Sequence, residues 1–511
     1  VTSRVQPAPA GGLRMGTPQG RWVLLTTVLG SSLAMLDGTV VNVALERIGG
    51  DLDAGFTGLQ WTVNAYTLTL ASLILLGGSL SDRFGRRRVF VVGVVWFAAA
   101  SLLCGLAPDV TTLVLARALQ GVGGALLTPG SLAIISASFA AEDRAAAVGA
   151  WSGLGGVAGA VGPFLGGWLV EWSWRAVFLV NLPVAVLIVA VAAKHVPETR
   201  DPAAAPSLDW TGTALVVTGL GGLTYALTAA GGTGAGSGVL AWGVAGAAAL
   251  VAFVVVQRRS RHPLVPPVLF GDRQFTAANG VTLLVYAPLG VVFVLLVLQL
   301  QVVSGFSPLL AGTSLLPVTV LMLLFSARAG ALAQRIGPRL PMTAGPLLSA
   351  AGVLLMLRIG EDASYVLDVL PAAVVFGAGL TLLVAPLTAT VLDSAEDRFA
   401  GVASGVNNAV ARAAGLLAVA VVPVVAGIGG DDYTDPAAFG SGFRTAVLIC
   451  AGLLLLGALV AAVAVRRPLA ATRRGTAPDE GRMAVEECLH CGVDAPQLHP
   501  RVPGPPREAA R

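Results

Sequence analysis

Runs of apolar residues, each close to twenty long and broken by short polar segments, repeat along this chain. A helix needs about 20 residues to cross a bilayer core, and the stretches beginning at Trp22, Leu59, Val89 and Ala146 all reach that length. Followed to Val465, the pattern predicts fourteen membrane helices. The most informative break is Gly78-Ser-Leu-Ser-Asp-Arg-Phe-Gly-Arg-Arg-Arg88, which places five charges between two apolar runs and must be a tight, water-facing loop. A degraded copy follows at Gly330-Ala-Leu-Ala-Gln-Arg-Ile-Gly-Pro-Arg339, where Gly78, Leu80, Arg83, Gly85 and Arg87 recur as Gly330, Leu332, Arg335, Gly337 and Arg339. Such a repeat implies two homologous halves. Its spacing exceeds what six helices need, and two additional helices account for the excess. The expected fold class is an all-α polytopic membrane protein: a tail (1–20), a six-helix bundle (21–193), a linker (194–209), two inserted helices (210–256), a second linker (257–275), a second six-helix bundle (276–465) and a disordered tail (466–511).

Composition agrees. Hydrophobic residues make up 55% of the chain and charged ones 12%, against roughly 25% charged in soluble domains. The net charge of +4 is spread among loops and not gathered on one face, so no nucleic-acid partner is expected. With both termini placed inside, the short external loops keep only Arg47, Arg175, Arg358 and Arg444, and nearly all other basic residues fall on the cytoplasmic side, as the positive-inside rule requires. The expected location is the cytoplasmic membrane. The first 20 residues lack an apolar core ahead of a cleavage site, so the first membrane helix is expected to direct insertion. Cys104 and Cys450 fall in apolar runs as packing residues. Cys488 and Cys491, with His490 and His499, offer one Cys-x-x-Cys pair where a closed zinc site wants four well-placed ligands, so no metal is expected. No nucleotide loop, metal-protease motif or nucleophile motif is present, which argues against an enzyme and against a cofactor.

The Gly-x-Leu-Ser-Asp-Arg-x-Gly-Arg-Arg loop resembles the signature of the major facilitator superfamily. Leu36-Asp-Gly-Thr-Val-Val-Asn-Val-Ala-Leu45 and Gln60-Trp-Thr-Val-Asn-Ala-Tyr66 resemble the first two helices of its fourteen-helix drug/proton antiporters, with Glu46 where those usually have Pro. Arg-x-x-Gln-Gly-x-Gly, starting at Arg117, is similar to the superfamily motif associated with proton coupling. Gly159-Ala-Val-Gly-Pro-Phe-Leu-Gly-Gly167 resembles the motif that marks exporters working by antiport. The resemblance implies two pseudo-symmetric bundles, alternating access, and export of a small lipophilic drug or antibiotic by a monomer in exchange for protons. A facilitator of a small metabolite or a non-transporting membrane sensor would share the fold.

The residues carry their own chemical logic. Asp37 is the only charge in its run, where a carboxylate costs about 2.5–3.5 kcal/mol at a helix centre. Arg117 stays protonated and needs a partner or a water path, and Asp37 is its nearest plausible counter-charge. Gly78, Asp82, Arg83, Gly85 and Arg86 form the candidate gating loop, with Asp82 expected to cap the positive end of the following helix. Its repeat has Gln334 instead, so a charged latch would be one-sided. Gly159, Gly162, Pro163, Gly166 and Gly167 suit close helix packing with a bend. Asn42, Trp61, Asn64, Tyr66, Asn407, Asn408 and Arg412 are candidate cavity residues, though Trp61 and Tyr66 also suit interfacial anchors. Arg412 either pairs within the bundle or meets an anionic group. The span before the repeated loop and the one holding Arg412 have no acidic residue, which argues against a strongly cationic cargo.

Overall fold

The computed structural model describes residues 12–200, 208–232, 236–260, 263–395, 399–429 and 435–466. The tail cysteines and histidines, Asp431, Asp432 and the basic residues beyond Arg466 lie outside them. The crossing segments are α1 (Pro18–Leu52), α2 (Phe56–Phe84), α3 (Arg86–Gly105), α4 (Val110–Ser138), α5 (Ala141–Trp172), α6 (Ala176–His195), α7 (Trp210–Gly232), α8 (Ser237–Arg259), α9 (Arg273–Val303), α10 (Pro308–Ile336), α11 (Arg339–Arg358), α12 (Tyr365–Asp393), α13 (Ala400–Val425) and α14 (Pro436–Ala464). Among the described residues thirteen of these are long and apolar enough to cross a membrane, and α5 is a helix where the hydrophobic pattern predicts the fourteenth.

The helices begin where the sequence supplies caps. Thr17, Asp109, Asp272, Ser307 and Asp435 each accept a backbone amide from the first turn that follows, satisfying donors with no partner inside the helix. The Thr112 amide and hydroxyl hold the Asp109 carboxyl below the usual carboxylate range.

Each half repeats one packing scheme. In the first, α4 packs against α2 and α3, and α1 against α5; in the second, α12 packs against α10 and α11, and α9 against α13. The expectation of a loop over Gly78–Arg88 is corrected: α2 stays helical to Phe84 and α3 starts at Arg86, so the turn is one residue. Both copies make it on glycine, Gly85 (φ 113°) and Gly337 (φ 86°) occupying the left-handed region that side chains rarely adopt. The halves then meet along two seams that the pseudo-symmetry relates, α2 against α13 and α5 against α10, with α1 facing α9 between them. The inserted pair breaks this symmetry. Helix α7 packs on both α2 and α13, covering one seam, and the Trp61 ring meets Tyr225 at a tilt, which in turn meets Trp242 of α8 edge-on.

Candidate coupling and substrate site

Asp37 lies fully buried on the face of α1 turned to α4, and both its carboxylate oxygens are hydrogen-bonded. Its Oδ2 accepts from Arg117 Nη1 at 2.5 Å, and its Oδ1 accepts from Gln120 Nε2 at 2.8 Å and Asn181 Nδ2 at 3.1 Å. Arg117, 1% exposed, also donates to the Thr62 carbonyl (Nε, 3.0 Å) and Gln120 Oε1 (Nη1, 2.6 Å). Its guanidinium carbon sits 4.4 Å from the centre of the Tyr66 ring and 5.8 Å from that of Phe178, so aromatic faces complete the charge's surroundings. Ser101 Oγ accepts from both Gln120 and Asn181. The sequence brought Asp37, Arg117 and the neighbouring glutamine forward as separate signals. It gave no role to Ser101 or Asn181, whose only visible mark is a polar side chain inside an apolar run.

A buried pair of this quality is close to neutral for stability but severe to break. Removing one partner strands the other charge at about 3–5 kcal/mol. The network therefore ties the packing of α1 on α4 to an intact charge pair.

The glycine-rich face of α5 carries that packing onward. A Cβ on Gly162 would stand 2.1 Å from Thr39 Oγ1, and one on Gly166 would stand 3.0 Å from the Val40 carbonyl oxygen, so only glycine lets α5 lie this close to α1. The other edge of the same face meets α10. A Cβ on Gly167 would come within 2.6 Å of Leu309 Cα, and one on Gly312 within 2.2 Å of the Pro163 carbonyl oxygen. Helix α5 is thus wedged between the helix bearing Asp37 and the opposite half. Gly159 lies in the same helix.

The cleft between the halves is narrow, with a cavity volume of about 30 Å³, and is lined by Thr39, Asn42, Val43, Pro163, Phe293, Val297, Leu315, Val318 and Thr319. Asn42 Oδ1 is buried there without a partner. Asn64, fully buried on α2, leaves both amide atoms unpartnered. Tyr66 donates its hydroxyl to the Ala34 carbonyl at 2.9 Å and packs beneath Arg117. Trp61 belongs to the aromatic cluster with α7. Asn407 bonds Asn279 Oδ1 (3.1 Å) and Thr282 Oγ1 (2.7 Å), which ties α13 to α9 inside one half. The exposed Asn408 reaches back to the Ser404 carbonyl. Only part of the candidate set therefore sits at the seam.

At the loop, Asp82 takes both Arg86 Nε (2.9 Å) and Nη2 (2.8 Å). The expectation that Asp82 caps the next helix is corrected: the Arg87 backbone amide donates to Glu198 Oε1 at 3.1 Å. Glu198 also lies 3.7 Å from the Arg87 and Arg88 guanidiniums, and the Arg86 amide donates to the Thr199 carbonyl. The reason is geometric. Asp82 closes the last turn of α2 and faces Arg86 across the loop, whereas the strand leaving α6 runs directly over the start of α3. Arg83 lies over the Phe84 ring, and Gly78 meets Pro129 Cβ at 3.7 Å if given a side chain. Glu198→Ala should remove about 1 kcal/mol of capping and raise the rate of tryptic cleavage after Arg200 roughly fivefold. Unchanged cleavage would show that the linker is held by other contacts.

Residues 27–419 match the sequence profile of the Major Facilitator Superfamily. The chain belongs to that superfamily. As a major facilitator transporter it is a multi-pass membrane protein that moves solutes and is not an enzyme. It is 36% identical over 489 residues to the puromycin resistance protein of Streptomyces alboniger, covering 92% of this chain and 96% of that one. It is 33% identical to the tetracenomycin C resistance and export protein of Streptomyces glaucescens, over 85% of this chain and 80% of that one. Among solved structures, a D-xylose–proton symporter superposes with a TM-score of 0.60 at 16% identity, covering 88% of this chain and 98% of its own, which shows the shared major facilitator fold.

Proposed function

We propose that this protein exports a lipophilic antibiotic or drug across the cytoplasmic membrane in exchange for protons, with the Gly78–Arg88 loop and both termini on the cytoplasmic side. The relatives named for resistance and export support the cargo class. The observation that carries the coupling is the buried Asp37–Arg117 pair behind a cleft-lining helix. Asp37 and Asn42 lie about 140° apart around α1. The carboxylate faces α4 while Thr39, Asn42 and Val43 face the cleft, so proton and cargo act on opposite sides of one helix.

Protonation of Asp37 cancels its charge and weakens its hold on Arg117, which releases α1 from α4. Movement of α1 repositions both its cleft face and the α5 face seated on it, and α5 in turn contacts α10. Cargo that favours the ion-paired arrangement then opposes protonation, and that differential affinity is all antiport requires. At about 150 mV one inward proton supplies about 3.5 kcal/mol, enough for a gradient of a few hundredfold in a neutral drug. No bound cofactor enters this scheme.

The test is accumulation of a panel of aromatic antibiotics, puromycin among them, in a pump-deficient bacterial host with and without the chain. Lower accumulation of at least one compound in expressing cells, restored by an uncoupler, is the expected result. Reduced accumulation that survives the uncoupler would reject proton coupling, and no reduction for any compound would reject export.

A further inference from the structure

Arg412 is a second guanidinium inside the helical core, half-buried, and unlike Arg117 it has no counter-charge among the described residues. It occupies the middle of α13, 12 residues after Ala400 and 13 before Val425. At 1.5 Å per residue either end is about 18 Å away, well beyond what an arginine side chain can span by snorkelling. Its Nε is buried with no hydrogen-bond partner, and no ion pair or hydrogen bond joins the guanidinium to any described residue. The acidic residues of the described second half stay at or beyond the ends of its helices: Asp272 and Asp435 are caps, Glu361 and Asp362 lie in the connection between α11 and α12, Asp368 pairs with Arg358, and Asp393 closes α12.

What does surround Arg412 lies at the seam between the halves. The nearest titratable groups to act on its charge are Tyr66 on α2, whose hydroxyl is donated to the Ala34 carbonyl, and Tyr286 on α9. The Tyr286 hydroxyl bonds to no described residue. Gln60 donates to the Val419 carbonyl across this seam, and Leu75 would touch a Cβ on Gly405. Asn64, one turn beyond Gln60 on the same face of α2, therefore comes to the same stretch of α13 with both amide atoms unpartnered. Phe293, two turns along α9 from Tyr286, lines the cleft.

We propose that Arg412 is the recognition group for an anionic cargo: an aromatic compound bearing an ionised oxygen, as phenolate, enolate or carboxylate, which docks on this guanidinium at the seam where α13 meets α2. This rests on the exporter reading and names its substrate class. A protonated guanidinium in a low-dielectric seam is uncompensated until such a group arrives, so the anion is favoured over any neutral isostere by a charge-assisted contact. A potential negative inside also drives an anion outward. The inward proton and the outward anion then add their charge movements.

The test separates binding from transport. Full-length protein in lipid nanodiscs is titrated by quenching of tryptophan fluorescence with alizarin, ionised at pH 8, and with its uncharged dimethyl ether. Wild type should bind alizarin about tenfold or more tightly than the ether. Arg412→Met should erase that preference without altering ether binding, and Arg412→Lys should keep part of it. Absence of alizarin binding to wild type, equal binding of the two compounds, or an equal loss for both in Arg412→Met would each overturn the proposal. Unfolding temperatures of both variants identify any that fail to fold, and Arg412→Lys then decides alone. Export by energised vesicles is measured separately. If alizarin binds through Arg412 but is not moved, the exporter reading fails while the anion site stands.

Discussion

Asp37→Asn is expected to abolish uphill export while leaving downhill exchange of the same compound intact. The amide keeps the shape of the carboxylate and fixes the charge state that protonation would otherwise produce. Arg117 then loses the counter-charge it holds at 2.5 Å, a change of about 3–5 kcal/mol that no longer depends on the proton gradient. A difference of that size corresponds to at least roughly a hundredfold in the balance between conformations. In proteoliposomes, drug-for-drug counterflow without a gradient should persist, and accumulation driven by a pH step should fall to the level of empty vesicles. Uphill transport by Asp37→Asn at a rate near wild type would remove Asp37 from the coupling mechanism. Loss of counterflow as well would assign it a structural role instead.

The second large effect is expected where the two halves touch backbone against backbone. In Gly312→Ala the new methyl would stand 2.2 Å from the Pro163 carbonyl oxygen, and in Gly167→Ala it would stand 2.6 Å from Leu309 Cα. Neither obstacle is the free end of a flexible side chain, so the seam between α5 and α10 must open. Overpacking of this kind costs about 1–3 kcal/mol, which shifts the population of the closed seam by roughly 5- to 150-fold. Each half keeps its own core, so the variants should remain folded. A cysteine placed at Asn42 should react with a membrane-impermeant maleimide faster in Gly312→Ala than in the Gly312 parent. Gly452→Ala, whose new methyl meets nothing within 4 Å, serves as the control. Equal labelling in all three would mean that this contact does not govern access to the cleft.

Much of this protein was legible as one-dimensional pattern. The hydrophobic runs set the number of membrane helices because lipid forbids unsatisfied backbone and leaves a helix as the way for such a run to cross. The repeat of Gly78–Arg88 at Gly330–Arg339 showed two halves, and Gly85 and Gly337 share the backbone conformation that makes the repeated turn possible. Asp37 and Arg117 stood out because charge is rare where the surroundings are apolar. The small residues of α5 announced close packing without saying what they pack against.

Contacts between distant residues were decided only in three dimensions. Whether Asp37 meets Arg117 depends on how α1 and α4 rotate about their own axes, and no local periodicity encodes that. The same holds for Ser101 and Asn181, ordinary polar residues until the fold brings both to the buried carboxylate, and for Glu198, which reaches over α3 to take the capping position expected of Asp82. Asn407, a cavity candidate by composition, is spent on Asn279 and Thr282, whereas Arg412 pairs with no described residue. Helix identity and number follow from the solvent each residue must face, a property carried by short stretches of chain. The pairing of charges follows from the relative rotation of packed helices, which the sum of their contacts sets.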